Sequence, residues 1–144
     1  MNSGKRVDAL PVEISKKIDQ LSFLENTDSY GIYFVNESGC IACNKAFLKF
    51  VVDSISNRRN MIIFNAATGT RLDISPFLSD TIKNVVNAND DDLIKYDLYD
   101  ASYFMYVRDH FIDTTIRIEL ERFDETIEYI LQLPIFKTSQ ANFK

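Results

Sequence analysis

A chain of 144 residues with 46% apolar content, including eleven Phe and seven Tyr, is long and apolar enough to bury one core without metal or disulfide staples. A formal charge of −5, with no basic cluster beyond Arg58-Arg59, argues against a nucleic-acid partner and against an anionic membrane surface. No apolar run approaches the roughly 18 residues of a membrane span, and the two cysteines are too few for a secreted disulfide scaffold.

Residues 1–10 are polar and mixed, and read as a flexible N-terminus. Pro11 suits a first helical turn. Val12, Ile14, Ile18, Leu21 and either Phe23 or Leu24 then give an irregular amphipathic pattern, with Lys16, Lys17, Asp19 and Gln20 on the wet side. This predicts a helix over 11–24. The charges spread through the first twenty positions leave no signal-peptide core, so the chain is expected in the cytoplasm as given, or in the cell envelope or periplasm had an export signal been trimmed.

Ile32 to Val35 are aromatic and β-branched, as in a strand buried on both faces, and Asn36-Glu37-Ser38-Gly39 ends that strand. From Cys40 the period becomes helical. Ala46, Phe47, Phe50, Val51, Ser54 and Ile55 form one apolar stripe, while Lys45, Lys49 and Asp53 lie on other faces. Cys40 and Cys43 therefore fall in the first turn of a helix. There the unpaired N–H groups and the positive end of the macrodipole stabilise a thiolate at Cys40, the form that acts as nucleophile. Cys43, three residues on and on the same face, is within reach to attack a mixed disulfide formed at Cys40.

Asn57 to Asn60 read as a polar turn, and Met61 to Phe64 as a second central strand, parallel to the first through a right-handed crossover. Ser75 and Pro76 suit the start of a helix with Phe77, Leu78, Ile82, Val85 and Val86 on its buried face. Asn87 to Asp92 is an acidic loop that lacks the glycine and distal glutamate of a calcium loop, and reads as a solvated turn. Leu93 to Asp100 fits either a short strand or an extended approach to the next one. Tyr103 to Val107 and Thr115 to Leu120 read as an antiparallel hairpin turning at Arg108-Asp109-His110. Phe123, Ile127, Ile130 and Leu131 repeat at helical spacing until Pro134, and residues 138–144 read as a loose tail. Residues 11–137 are thus expected to form a single domain.

This order resembles the thioredoxin-like superfamily, and the local form Ser38-Gly39-Cys40-Ile41-Ala42-Cys43 after an aromatic strand is similar to bacterial thioredoxin-like thiol–disulfide proteins. The likeness runs from about Tyr30 to Leu133. It implies an α/β fold, a central mixed sheet of about four strands flanked by helices, with Cys40 as the nucleophilic and Cys43 as the resolving cysteine. It further implies a thiol–disulfide oxidoreductase acting on a disulfide- or thiol-containing partner protein or small thiol, with no cofactor.

Three departures accompany the likeness. Thioredoxins open the first hairpin strand with a cis-proline that faces the redox cysteines, and Ser102, with Ala101 beside it, stands at the matching place; with Gly39 before the first cysteine, these are the expected substrate-binding positions. A non-proline cis bond costs about 2.5 to 4 kcal/mol, so a trans bond is expected there. Gly39 replaces the usual tryptophan before the first cysteine, and Phe34 occupies the place of the family's buried acid. These losses keep open a second reading, a redox-inactive thioredoxin-fold binding or assembly module. A peroxide-reducing site would need a cationic or hydroxyl-donating residue near Cys40 that the sequence does not identify.

Other candidates read as structural. His110, the one histidine, sits in the expected hairpin turn, and zinc would require more ligands than it and the cysteines supply, so no metal site is assigned. Tyr96, Tyr99, Tyr103, Phe104 and Tyr106 read as sheet-packing aromatics in preference to groove lining. Asn36-Glu37-Ser38 spells a glycosylation sequon, but its place beside the redox turn argues against modification.

Overall fold

The computed structural model describes residues 11–21, 28–88, 91–94, 96–109 and 111–138. Among the described residues the apolar runs assemble into one mixed sheet of five strands: β1 Ser29–Val35, β2 Met61–Asn65, β3 Val85–Asn87, β4 Tyr103–Arg108 and β5 Phe111–Arg117. Their order is β3-β2-β1-β4-β5. β1, β2 and β3 run parallel, whereas β4 is antiparallel to β1 and β5 to β4.

Helices cover both faces. On one side α2 (Ile41–Phe50), α4 (Phe123–Gln132) and α5 (Pro134–Thr138) bring Phe47, Ile130 and Ile135 against Tyr33, Ile63 and Phe104. On the other, Ile14 and Ile18 of α1 (Val12–Ile18) and Leu93 of α3 (Asp91–Ile94) pack on Ile32, Phe34, Ile62 and Phe64. β1 is buried from Tyr30 to Val35, as its continuous apolar run requires.

The helix after the cysteines does not end at Phe50 but continues as a π-helical turn, Val51–Ile55. Cys43, Phe47, Val51 and Ile55 are all buried, one every fourth residue. Such a spacing drifts around an α-helix of 3.6 residues per turn, and the wider π-turn returns Ile55 to the core.

Several expectations are corrected. The sheet has five strands, not about four, because the segment expected to be a helix from Ser75 forms only a 3₁₀ turn, Ser75–Leu78, and then strand β3. The cause is Asn84, which is fully buried and uses its side chain to donate to the carbonyls of Ile55 and Met61, at 3.0 and 2.8 Å, and to accept from Asn57 N at 3.0 Å. Its own carbonyl takes the N–H of Ile63 at 2.9 Å. Those bonds lay Val85 and Val86 along the edge of β2, whose backbone groups need partners.

Leu93 to Asp100 is neither strand nor extended approach at its start, since it opens with α3. The second hairpin strand begins earlier and ends sooner than Thr115 to Leu120, at Phe111–Arg117. α1 stops at Ile18, and residues 22–27, with Phe23 and Leu24, lie outside the described residues. So do residues 1–10, His110 and residues 139–144. On α4 the buried stripe runs through Thr126 and Ile130, and Leu131 is exposed. No described helix is long and apolar enough to cross a membrane.

Candidate functional site

The site starts where β1 hands the chain to α2. Cys40 is the N-cap of α2, and its Sγ accepts the backbone N–H of Cys43 at 3.1 Å. The two cysteines form a disulfide with their Cα atoms 5.2 Å apart. Their environments differ sharply: Cys40 is exposed, whereas Cys43 is 1% exposed against the α2 face of the core. One cysteine therefore stands at the surface while the other is shielded. On reduction, the Cys43 N–H and the helix N-terminus both favour negative charge on Cys40.

The loop carrying the cysteines is tied to the loop that enters β4. Asn36, 2% exposed, donates from Nδ2 to the carbonyl of Tyr99 at 3.0 Å, and its Oδ1 accepts from Glu37 N at 2.7 Å. Ser102, fully buried, accepts Asn36 N at Oγ (3.0 Å), and its carbonyl accepts Ile118 N at 2.9 Å. Its hydroxyl is thus buried and bonded to Asn36 at the end of β1, and the residue acts as a joint between β1 and β4. Among the described residues there are no cis peptide bonds, so the Ala101–Ser102 bond is trans. Gly39 has φ +80° and lies against the carbonyl of Asp100. Asn36 is also too buried and too fully bonded to present itself as a glycosylation acceptor.

Cys40 and Cys43 border a groove of about 330 Å³, completed by Ala101, Arg117, Ile118, Glu119, Leu120 and Glu121. Arg117 stands 3.5 Å from Asp100 and 3.3 Å from Glu119. Asp100 also accepts the Tyr103 hydroxyl at 2.6 Å, which holds its carboxyl below the usual range. Burial, with Asp100 beside it, pushes the Tyr103 phenol up to about 12. Compared with known protein families, curated proteins and solved structures, the chain matches none. The chemistry of the site therefore rests on its own geometry.

Of the residues singled out in the sequence, Cys40, Cys43 and Ala101 line the groove together, and Gly39 and Ser102 shape the loops behind it. Tyr103, Phe104 and Tyr106 are buried in the sheet, and neither they nor Tyr96 and Tyr99 line the groove. Among the described residues no cluster of three or more His, Cys, Asp or Glu could hold a metal.

Sequence reasoning missed Arg117, Glu119 and Glu121, which follow the cysteines by more than seventy residues and carry no motif. It also missed Glu37. That carboxylate accepts the backbone N–H groups of Thr68, Gly69, Arg71 and Leu72 at 2.9 to 3.1 Å and the hydroxyl of Thr68 at 2.8 Å. Partial burial alone would raise its carboxyl, but these donors outweigh it and hold it down at about 2. Glu37 thereby ties the cysteine loop to the loop after β2. A glutamate in the polar turn, and a glycine and two threonines in the other loop, were the available signal. Beside them, Asn44 donates to the Ser38 carbonyl at 2.8 Å, while its Oδ1 is buried without a hydrogen-bond partner among the described residues.

Proposed function

We propose that the chain is a thioredoxin-like thiol–disulfide oxidoreductase in which Cys40 exchanges with a partner protein or small thiol and Cys43 resolves the intermediate. The observation that carries this reading is the asymmetric disulfide: an exposed Cys40 at a helix N-cap, bonded to a buried Cys43. In the reduced protein the Cys40 thiolate attacks one sulfur of the partner's disulfide, whose other sulfur leaves as a thiolate and takes a proton. The Cys43 thiolate then attacks Cys40 Sγ, re-forming the Cys40–Cys43 disulfide and releasing the second partner thiolate. Two electrons pass to the partner. The reverse sequence oxidises a partner dithiol through the same bonds.

The fold supports the family reading through its order. A strand, a helix opened by the cysteine pair and a parallel strand are followed by an antiparallel hairpin and a last helix, with α2 and α4 on one face. The loop before β4 stands beside the cysteines, where the family places its cis-proline loop, with Ala101 presented to the groove.

The test is the pH dependence of Cys40 alkylation in the reduced protein, followed by equilibration of the cysteine pair with glutathione. A Cys40 pKa below about 7.5 and a reversible disulfide are expected. Two sluggish thiols near about 8.5 with no reversible disulfide would overturn the reading and leave a binding module.

A further inference from the structure

The groove beside the disulfide carries a charge pattern of its own. Arg117 is the one basic side chain among the described residues that line it, and Asp100 and Glu119 both pair with that guanidinium. Glu121 adds a further carboxylate to the lining. Three carboxylates therefore stand against one cation within the reach of an incoming disulfide. All are accessible: the side chains of Asp100 and Glu119 are 51% and 45% exposed, and Glu121 is exposed. Between Glu119 and Glu121, Leu120 presents an apolar side chain that is 65% exposed.

Among the described residues, the lining holds no second cation to offset this. Glu37 is satisfied by the backbone of the loop after β2, and Arg71 from that loop donates to the Glu37 carbonyl at 3.2 Å. The N-terminus of α2 is already directed at Cys40 by the Cys43 N–H. An approaching chain thus meets sulfur, an apolar leucine and surplus negative charge together.

We infer that the partner is a cationic polypeptide segment: a disulfide or dithiol flanked by Lys or Arg and an apolar residue, the base meeting Glu119 and Glu121 and the apolar side chain covering Leu120. This inference rests on the exchange reading above and adds the partner's charge class to it. The field of the rim acts on the encounter, raising the rate for a positive disulfide and lowering it for a negative one, and salt screens it over a Debye length of about 10 Å at 0.1 M.

The test uses the full chain, pre-reduced with dithiothreitol and freed of it. Its rates of oxidation are measured with three small disulfides, the dication cystamine, neutral 2-hydroxyethyl disulfide and the dianion of dithiodiglycolic acid. Mercaptoethanol supplies the reference rates, which remove the intrinsic preferences of the disulfides. Relative to that reference, cystamine is expected to exceed the dianion by roughly tenfold at low salt, with the ratio falling as salt is raised. The double variant E119Q/E121Q is expected to cut the ratio by about threefold or more, and R117Q, which removes a cation, to increase it. Exchange with all three disulfides in the reference proportions, unaffected by salt or by either variant, would overturn the charge preference and leave the exchange activity standing. Reaction with none of them would overturn the exchange reading itself, and this inference with it.

Discussion

Gly39 faces the backbone carbonyl of Asp100 so closely that a Cβ on it would lie 2.5 Å from the oxygen. Its φ of +80° is also one that L side chains rarely adopt. This contact holds the cysteine loop against the loop that enters β4, and it allows no side chain.

Gly39→Ala is therefore expected to destabilise the protein by about 1–3 kcal/mol, from a left-handed backbone and a displaced Asp100 carbonyl. Urea unfolding of the oxidised protein checks this: the midpoint falls with an unchanged slope. An unaltered midpoint would mean that the two loops do not bear on one another.

Cys40→Ser is expected to abolish exchange, because the remaining sulfur, Cys43, is only 1% exposed. Cys43→Ser leaves the exposed nucleophile but no resolving thiol, so it accumulates a mixed disulfide with the partner. Mass spectrometry after exposure to oxidised glutathione reads both outcomes, as an unmodified Cys40→Ser protein and a singly glutathionylated Cys43→Ser protein. Two fully active variants would remove the proposed mechanism.

Glu37 makes stability depend on acid pH. Its folded carboxyl, held at about 2 against an ordinary 4.5, lies below its unfolded value. The stabilisation it gives is therefore complete above the unfolded value and is lost as pH falls from about 4.5 towards 2. Glu37→Gln is expected to cost about 1–2 kcal/mol at neutral pH and to flatten this part of the pH profile. Denaturant titrations at neutral and acid pH, compared between the two proteins, measure it, and parallel profiles would contradict it.

Ser102→Ala leaves the buried Asn36 N–H without its acceptor and is expected to cost about 1–3 kcal/mol. The same unfolding assay measures the loss. Hydrogen exchange at Asn36 gives a local readout, since that amide should lose protection before the amides of β1.

Asn84→Ala removes the side chain that donates to Ile55 and Met61 and accepts from Asn57. A loss of about 2–4 kcal/mol is expected, because several buried backbone groups lose partners at once. Faster amide exchange across Val85–Asn87 should accompany it. Retained protection of β3 would show that Asn84 does not hold the edge strand.

Local pattern by itself determined much of this protein. The aromatic and β-branched run of β1, the change to helical period at Cys40 and the apolar β2 each depend on side chains close in sequence, so the strand, cysteine helix and strand unit was legible, as were β4 and α4. The placement of both sulfurs at a helix start was legible for the same reason. What the tertiary structure decided depends on partners far away along the chain. Val85 and Val86 fit a helical stripe on paper, yet the buried hydrogen bonds of Asn84 and the open edge of β2 made them a strand. Ser102 turned inward because Asn36, at the end of β1, needed an acceptor for its N–H. Arg117, Glu119 and Glu121 came beside the cysteines only when β5 and the turn after it settled against the loop before β4. Periodicity records which face of an element is buried, whereas the groove wall and its charge arise where separate elements meet, and no local spacing encodes that meeting.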